Sequence, residues 1–332
     1  MPLNVAKQSL IPAFLTLVVI TTVALLAATE GSVDADLRFG LTPEALPIPF
    51  WGAWLHNFQL AHPHISGWIC GLLMLYTGAS LGRLTVRYNL YGTGTCLAIS
   101  LYGLAMIGTM RSGEYLTAVV SSILLMLAVK NLCFSYRNGF GFDRIFRGAA
   151  YLTLLLFVEP AALPLLLLLP VVSNRFRRTT REMIVATAGL LFPIGALCYL
   201  NWALQGEFLA PLHMLYRAFM AGRWCGAPLT ASLHEQILFG VLLLLNLMAL
   251  GLFTTNSYNI GFKARHIMQL VGRMLALALL TLVVPAASSA TLALVVVPAT
   301  LLMPVLFVRI HQPIAKLLYL LIIIGSLAFL FI

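Results

Sequence analysis

Charge is the scarcest commodity in this chain. Only 9% of its 332 residues are Asp, Glu, Lys or Arg, against about 25% in a soluble domain. No water-soluble fold could bury the 61% that is apolar, which excludes a soluble globular domain. Also missing are the roughly ten-residue alternating segments of a transmembrane strand barrel. Catalytic signatures are absent too: there is no glycine-rich nucleotide loop, no HExxH and no nucleophile elbow. Five cysteines give no disulfide framework, because Cys70, Cys96, Cys133 and Cys198 fall in apolar runs where a thiol packs as a small apolar group. Only Cys225 stands in a polar loop. No cofactor or metal is implied.

Long apolar runs fill the space left by charge. They recur at about 10–28, 66–86, 91–110, 116–135, 147–158, 161–173, 183–203, 237–254, 267–285, 290–308 and 314–331. Most are long enough to cross about 30 Å of hydrocarbon as a helix. The expectation is an all-α, polytopic membrane protein of about eleven transmembrane helices, forming a single transmembrane domain over 1–332. The first run follows Lys7 but is too long for the core of a secretory signal, and it reads as a retained helix. The fifth and sixth runs are short and parted only by Glu159-Pro160, which predicts a helical hairpin that does not fully cross.

Basic residues beside spans stay in the cytoplasm. With the amino terminus inside, sixteen of the twenty Lys and Arg residues fall at the cytoplasmic face and eight of the ten acids outside. That orientation puts the carboxyl terminus outside and predicts residence in the inner membrane. It divides the net charge of +10 into about +14 inside and −4 outside. The pI near 9.7 then needs no nucleic-acid partner. The densest basic run, Arg175 to Arg181, reads primarily as a topology anchor able to touch anionic headgroups. Lys130 reads as a residue snorkelling to the inner interface.

Two outer loops are longer than connection requires, 29–65 and 205–236, and long loops tend to be functional. The first contains Pro47-Ile-Pro-Phe-Trp-Gly-Ala-Trp54, which suits an interfacial segment. In the second, Leu212, Leu215, Tyr216 and Phe219 recur at helical spacing. Each loop is expected to hold a short helix along the outer surface. No internal repeat is visible, so the inverted-repeat signature of many secondary transporters is missing.

Candidate chemistry therefore concentrates outside. Asp34 and Asp36 flank Ala35 just after the first span, where a carboxylate can act as a general base or be a solvated loop acid. His62 and His64, in a His-Pro-His spacing, can transfer a proton, but they lack the third ligand that a metal site needs. His56, His213 and His234 are outside as well. Arg111, Arg217 and Arg223 run against the charge bias; a guanidinium grips phosphate through paired hydrogen bonds, or it pairs with a nearby acid such as Glu114 or Glu207. Glu159 either reaches outer water or lines a cavity. Asn201 and Asn246 are expected to bond between helices.

Two stretches carry a resemblance. Gly148 to Pro170, with its Glu-Pro and Leu-Pro breaks, precedes Arg-Phe-Arg-Arg-Thr-Thr-Arg-Glu182 and then Ala-Gly-Leu-Leu-Phe-Pro193. This resembles an uncharacterised family of polytopic inner-membrane proteins from Bacteroidota, most clearly over 145–205, and the resemblance assigns no activity. The first seven spans, with large outer loops after spans one and seven, are similar in architecture to the module of C-type (GT-C) glycosyltransferases. That likeness implies sugar transfer from a polyprenyl-phosphate carrier on the outer face. It would place Asp34 or Asp36 where that fold carries its first-loop acid, and Arg217 or Arg223 in a loop that helps hold the carrier phosphate. The leading expectation is thus an inner-membrane protein acting on or near lipid-linked envelope glycans, with membrane lipids and a polyprenyl-phosphate carrier as partners. A non-catalytic subunit docking envelope-complex proteins is the second reading and a transporter the third.

Overall fold

The computed structural model describes residues 5–30, 51–110, 114–133, 141–176, 178–220, 224, 233–255 and 260–331. Among these the chain is all-helical, with 13 α-helices and no strand. In chain order they are α1 (Leu10–Glu30), α2 (Trp51–Ala61), α3 (Pro63–Arg87), α4 (Leu97–Met110), α5 (Tyr115–Leu132), α6 (Phe142–Val158), α7 (Leu168–Arg175), α8 (Thr180–Ala203), α9 (Ala210–Met220), α10 (Leu233–Thr255), α11 (Phe262–Thr281), α12 (Leu292–Arg309) and α13 (Gln312–Phe331). Short 3-10 segments occupy Val5–Lys7 and Pro160–Leu167.

Each of the eleven expected spans coincides with a helix, but the requirements for crossing are met unevenly. Five helices are both long and apolar enough: α3, α5, α8, α10 and α12. Four more apolar stretches, in α1, α4, α13 and the Pro160–Arg175 arm, are shorter over the residues whose burial is described, although α1 and α13 themselves run 21 and 20 residues. The remaining two, α6 and α11, belong to neither group, because Asp143, Arg144 and Arg147 in one and Lys263, Arg265 and Arg273 in the other dilute their apolar character. The helical membrane class stands; a count of eleven crossings does not follow from helix length alone.

The short hairpin has a physical solution in its second arm. A 3-10 helix rises about 2.0 Å per residue and an α-helix about 1.5 Å. The eight residues of Pro160–Leu167 and the eight of α7 therefore extend about 28 Å, close to the roughly 30 Å of hydrocarbon. Uniform α-helix would give only about 24 Å. Glu159, in an extended conformation at φ −135° and ψ 96°, makes the corner between the arms.

Close packing depends on small residues where helices touch, as expected when lipid tails give no driving force for burying leucine. Leu17 of α1 lies between Gly78 of α3 and Gly103 of α4, where a Cβ would stand 2.6 and 2.7 Å from its methyl carbons. Gly189 of α8 is tighter still: a Cβ there would lie 2.5 Å from the Phe146 carbonyl oxygen and 3.0 Å from the Ala149 Cβ. The most extensive helix pairs are α6 with α8 and α5 with α6. At the centre, α12 is buried along almost its whole length despite Pro298 and Pro304. In the backbone between these prolines the Tyr91 hydroxyl donates to the Leu301 carbonyl at 2.8 Å, a neighbour serving a carbonyl in a proline-loosened stretch.

Charge sorts the two ends of the bundle. Arg87 and Arg144 both act on Tyr88, just past α3, whose phenol is pushed up by burial and by Cys133 while the two guanidiniums pull it down. Arg178 pairs with Glu182 at 3.1 Å, both side chains about 95% buried. The Thr179 hydroxyl and the Glu182 carboxylate also form a reciprocal cap at the start of α8. Glu182 further accepts from the Gly141 backbone N–H at 3.4 Å, tying the start of α6 to that of α8. The basic run is therefore more than an anchor: one of its arginines is a structural ion pair inside the fold. Lys130, by contrast, is exposed.

Candidate functional site opposite the basic end

The other end of the bundle is roofed by the two short helices anticipated in the long loops. Helix α2 packs on α3, α5 and α6, and α9 packs on α8 and the 3-10 arm. They approach each other over the end of α6, where Phe157 and Leu197 are covered by Trp51 and Ala53 from α2 and by Leu215 from α9. Trp51 lies 6.5 Å from Phe157 between ring centroids.

Polar contacts fix α2 in place. Leu116, at the second position of α5, has a backbone N–H with no partner in its own helix. Gln59, 2% exposed, supplies the acceptor from α2 at 3.1 Å. Beside it the Ser66 and Tyr115 hydroxyls share a hydrogen bond of 2.6 Å, joining α3 to α5. His56 also belongs to this region, and its Nδ1 is buried with no hydrogen-bond partner among the described residues.

Glu159 is the centre of the arrangement. It neither reaches outer water nor lines the cleft described below: it is 4% exposed and accepts from the Thr291 hydroxyl at 3.1 Å and the Ser288 hydroxyl at 3.4 Å. Those two residues cap one another, the Ser288 backbone N–H donating to Thr291 Oγ1 at 2.7 Å and the Thr291 N–H to Ser288 Oγ at 3.3 Å. One carboxyl group thus joins the corner after α6 to the start of α12, where the helix dipole favours negative charge. Sequence reasoning missed Ser288 and Thr291. Their three-residue spacing before an apolar run was the available signal.

The other candidates are placed unevenly. Asp34, Asp36, Arg111 and Arg223 lie outside the described residues. Glu114 is buried directly before α5, and its side chain does not cap that helix, a role Gln59 takes. His62 precedes α3 and is exposed, its ring 5.4 Å from that of Phe58, and His64 is exposed one residue into the helix. Arg217 is exposed on α9. Asn201 bonds locally, its amide donating to the Glu207 carbonyl at 2.6 Å across the turn toward α9. Among the described residues no three His, Cys, Asp or Glu side chains gather as a metal site would require.

A separate, small cleft of about 30 Å³ lies between α4, α10, α11 and α12 in the same half of the bundle. Its lining is apolar except for Thr109 and Asn246. Asn246 is 1% exposed and donates to the Leu242 carbonyl of its own helix at 2.8 Å, while its Oδ1 has no partner. The interhelical bond expected of it is not made. Comparison of the chain with protein-family models, curated proteins and solved structures found no match.

Proposed function

We propose that this protein acts on the headgroup region of a membrane lipid at the end opposite its basic loops, with a lipid-linked envelope glycan as the substrate class. The observation that carries this reading is that α2 and α9 both pack on the Phe157–Leu197 pair at the end of α6, two residues from the buried Glu159. Two amphipathic helices on one end of an apolar bundle make a shelf at headgroup depth. The segment bearing Asp34 and Asp36 leads directly into α2, and Arg223 stands three residues beyond α9. In sequence the two helices therefore adjoin both segments from which an acid and a phosphate-binding guanidinium would come. In this reading the chain is an inner-membrane protein, amino terminus in the cytoplasm, that transfers a sugar from a polyprenyl-phosphate carrier on the outer face. Arg217, exposed on α9, is in this reading a phosphate ligand, as are Arg111 and Arg223.

The Asp34→Asn, Asp36→Asn double variant should abolish sugar transfer while leaving protein abundance unchanged. Lipid-linked precursor should accumulate, read by mass spectrometry of extracted lipids. An unchanged glycan and precursor profile sinks the enzymatic reading. The alternative, a non-catalytic subunit of an envelope complex, draws support from Glu159 itself, whose carboxyl oxygens are engaged by Ser288 and Thr291 in joining helices. That reading predicts a stoichiometric partner on purification in mild detergent, together with the unchanged profile.

A further inference from the structure

The basic end of the bundle carries sixteen Lys and Arg residues and only two acids, Asp143 and Glu182. Both acids are engaged within the fold, Asp143 by Arg147 at 2.9 Å and Glu182 by Arg178 at 3.1 Å. The large excess of positive charge is therefore met from outside the chain. We propose that Arg87, Tyr88 and Arg144 form a site for the phosphodiester of an anionic phospholipid in the leaflet at this end.

Three elements converge on Tyr88. It ends α3, its N–H bonding back to the Leu84 and Val86 carbonyls. Its half-buried ring packs on the hydrophobic core, close to Cys133 where α5 ends. The guanidinium carbon of Arg87 lies 6.0 Å from the centre of that ring. Arg144 comes from the first turn of α6, a helix packed closely on α5. Both arginines act on the phenol, and no carboxylate is among the groups that do. Packing thus holds a phenol O–H between two guanidiniums, a donor set that matches the two charged oxygens of a phosphodiester. The densest basic run is the poorer candidate, because Arg178 within it is already bound to Glu182.

Depth identifies where the phosphate comes from. A headgroup phosphate sits where acyl chains meet water, so a cation serving it stands beside an apolar side chain that faces lipid. Arg87 follows the exposed Val86 on a helix long and apolar enough to span. The pairing recurs around this end, with Lys263 beside the exposed Phe262 and Lys316 beside the exposed Leu317. A soluble phosphate gains nothing from such an apolar border. Charge then selects among lipids: two guanidiniums favour a lipid of net negative charge over a zwitterionic one, whose ammonium would lie among them. The site is at the opposite end from the α2–α9 shelf and does not rest on the sugar-transfer reading.

The test titrates the purified full-length protein in mild detergent with dioleoylphosphatidylglycerol or dioleoylphosphatidylcholine and counts bound lipid by native mass spectrometry. The wild type should hold the glycerol lipid at least about fivefold more tightly. Arg87→Gln combined with Arg144→Gln should weaken it about twenty-five-fold, roughly fivefold for each cation, and leave the choline lipid unchanged. Tyr88→Phe keeps the ring in the core and should lose about fivefold through the hydroxyl alone. Lys263→Gln with Lys316→Gln removes the same charge from helices without substantial contact to α3 or α6, and should change affinity by less than about twofold. Equal losses in the arginine and lysine pairs would reduce the effect to general surface charge and overturn the proposal. So would displacement of the glycerol lipid by inorganic phosphate over the same concentration range, which marks a site for a soluble anion. If the arginine pair does not fold, Tyr88→Phe decides, and wild-type affinity in that variant overturns the site.

Discussion

Replacing Gly189 by leucine should release α8 from the bundle and remove folded protein from the membrane. A Cβ at this position meets the Phe146 carbonyl oxygen at 2.5 Å and the Ala149 Cβ at 3.0 Å. Neither obstacle can rotate away, since one is backbone and the other is a Cβ fixed to it. The two helices must separate, and α8 has substantial contacts only with α6 and α9. Overpacking of a tight core costs about 1–3 kcal/mol where neighbours can adjust, and here they cannot. Against a total stability of roughly 5–15 kcal/mol, loss of this interface is decisive. Gly195 on the same helix is the control, because a Cβ there meets nothing within 4 Å. Gly195→Leu should therefore elute from size exclusion as the wild type does, whereas Gly189→Leu should aggregate or be degraded. Equal behaviour of the two variants would show that α6 and α8 are not packed as described.

Glu159 should show the second large effect. Its two described acceptor bonds join segments 129 and 132 residues apart in sequence, and a typical hydrogen bond contributes about 0.5–1.5 kcal/mol. Glu159→Leu cannot accept from either hydroxyl. The start of α12 should loosen from the corner after α6, with a fall of several degrees in the melting temperature in detergent. Glu159→Gln keeps one carbonyl oxygen in place and should lose less than half as much. If leucine is tolerated as well as glutamine, the carboxyl group does not join these helices.

Much of this architecture was legible because apolar periodicity is a local property. The runs, the short helix expected in the first long loop and the helical spacing of Leu212, Leu215, Tyr216 and Phe219 all reappear as helices within a few residues. What was illegible depends on distant partners. Glu159 looked like an acid that must find water or a cavity, since nothing beside it in sequence announces Ser288 and Thr291. Gln59 capping α5 from another helix is equally silent in sequence. Asn246 was expected to bond a neighbouring helix, yet its donor turns back to Leu242 and its acceptor is left unpartnered. The Thr179 to Glu182 cap was written locally, in the spacing of a hydroxyl and a carboxylate before an apolar run, but the density of arginines around it drew attention to charge instead. Of the candidate site, the structure places α2 and α9 on the same Phe157–Leu197 pair, while the loop acids Asp34 and Asp36 lie outside the described residues.

The central claim is that the roofed end, where α2 and α9 lie, faces away from the cytoplasm while the basic end faces it. Cysteine accessibility in intact cells addresses it directly, since the native Cys70, Cys96, Cys133 and Cys198 are buried. In a Cys225→Ser background, His64→Cys and Glu207→Cys should react with a membrane-impermeant maleimide from outside. Arg83→Cys and Arg181→Cys, all four positions being exposed in the fold, should react only after permeabilisation. Labelling of the Arg83 and Arg181 positions in intact cells, with protection of His64 and Glu207, would invert the molecule and contradict the account.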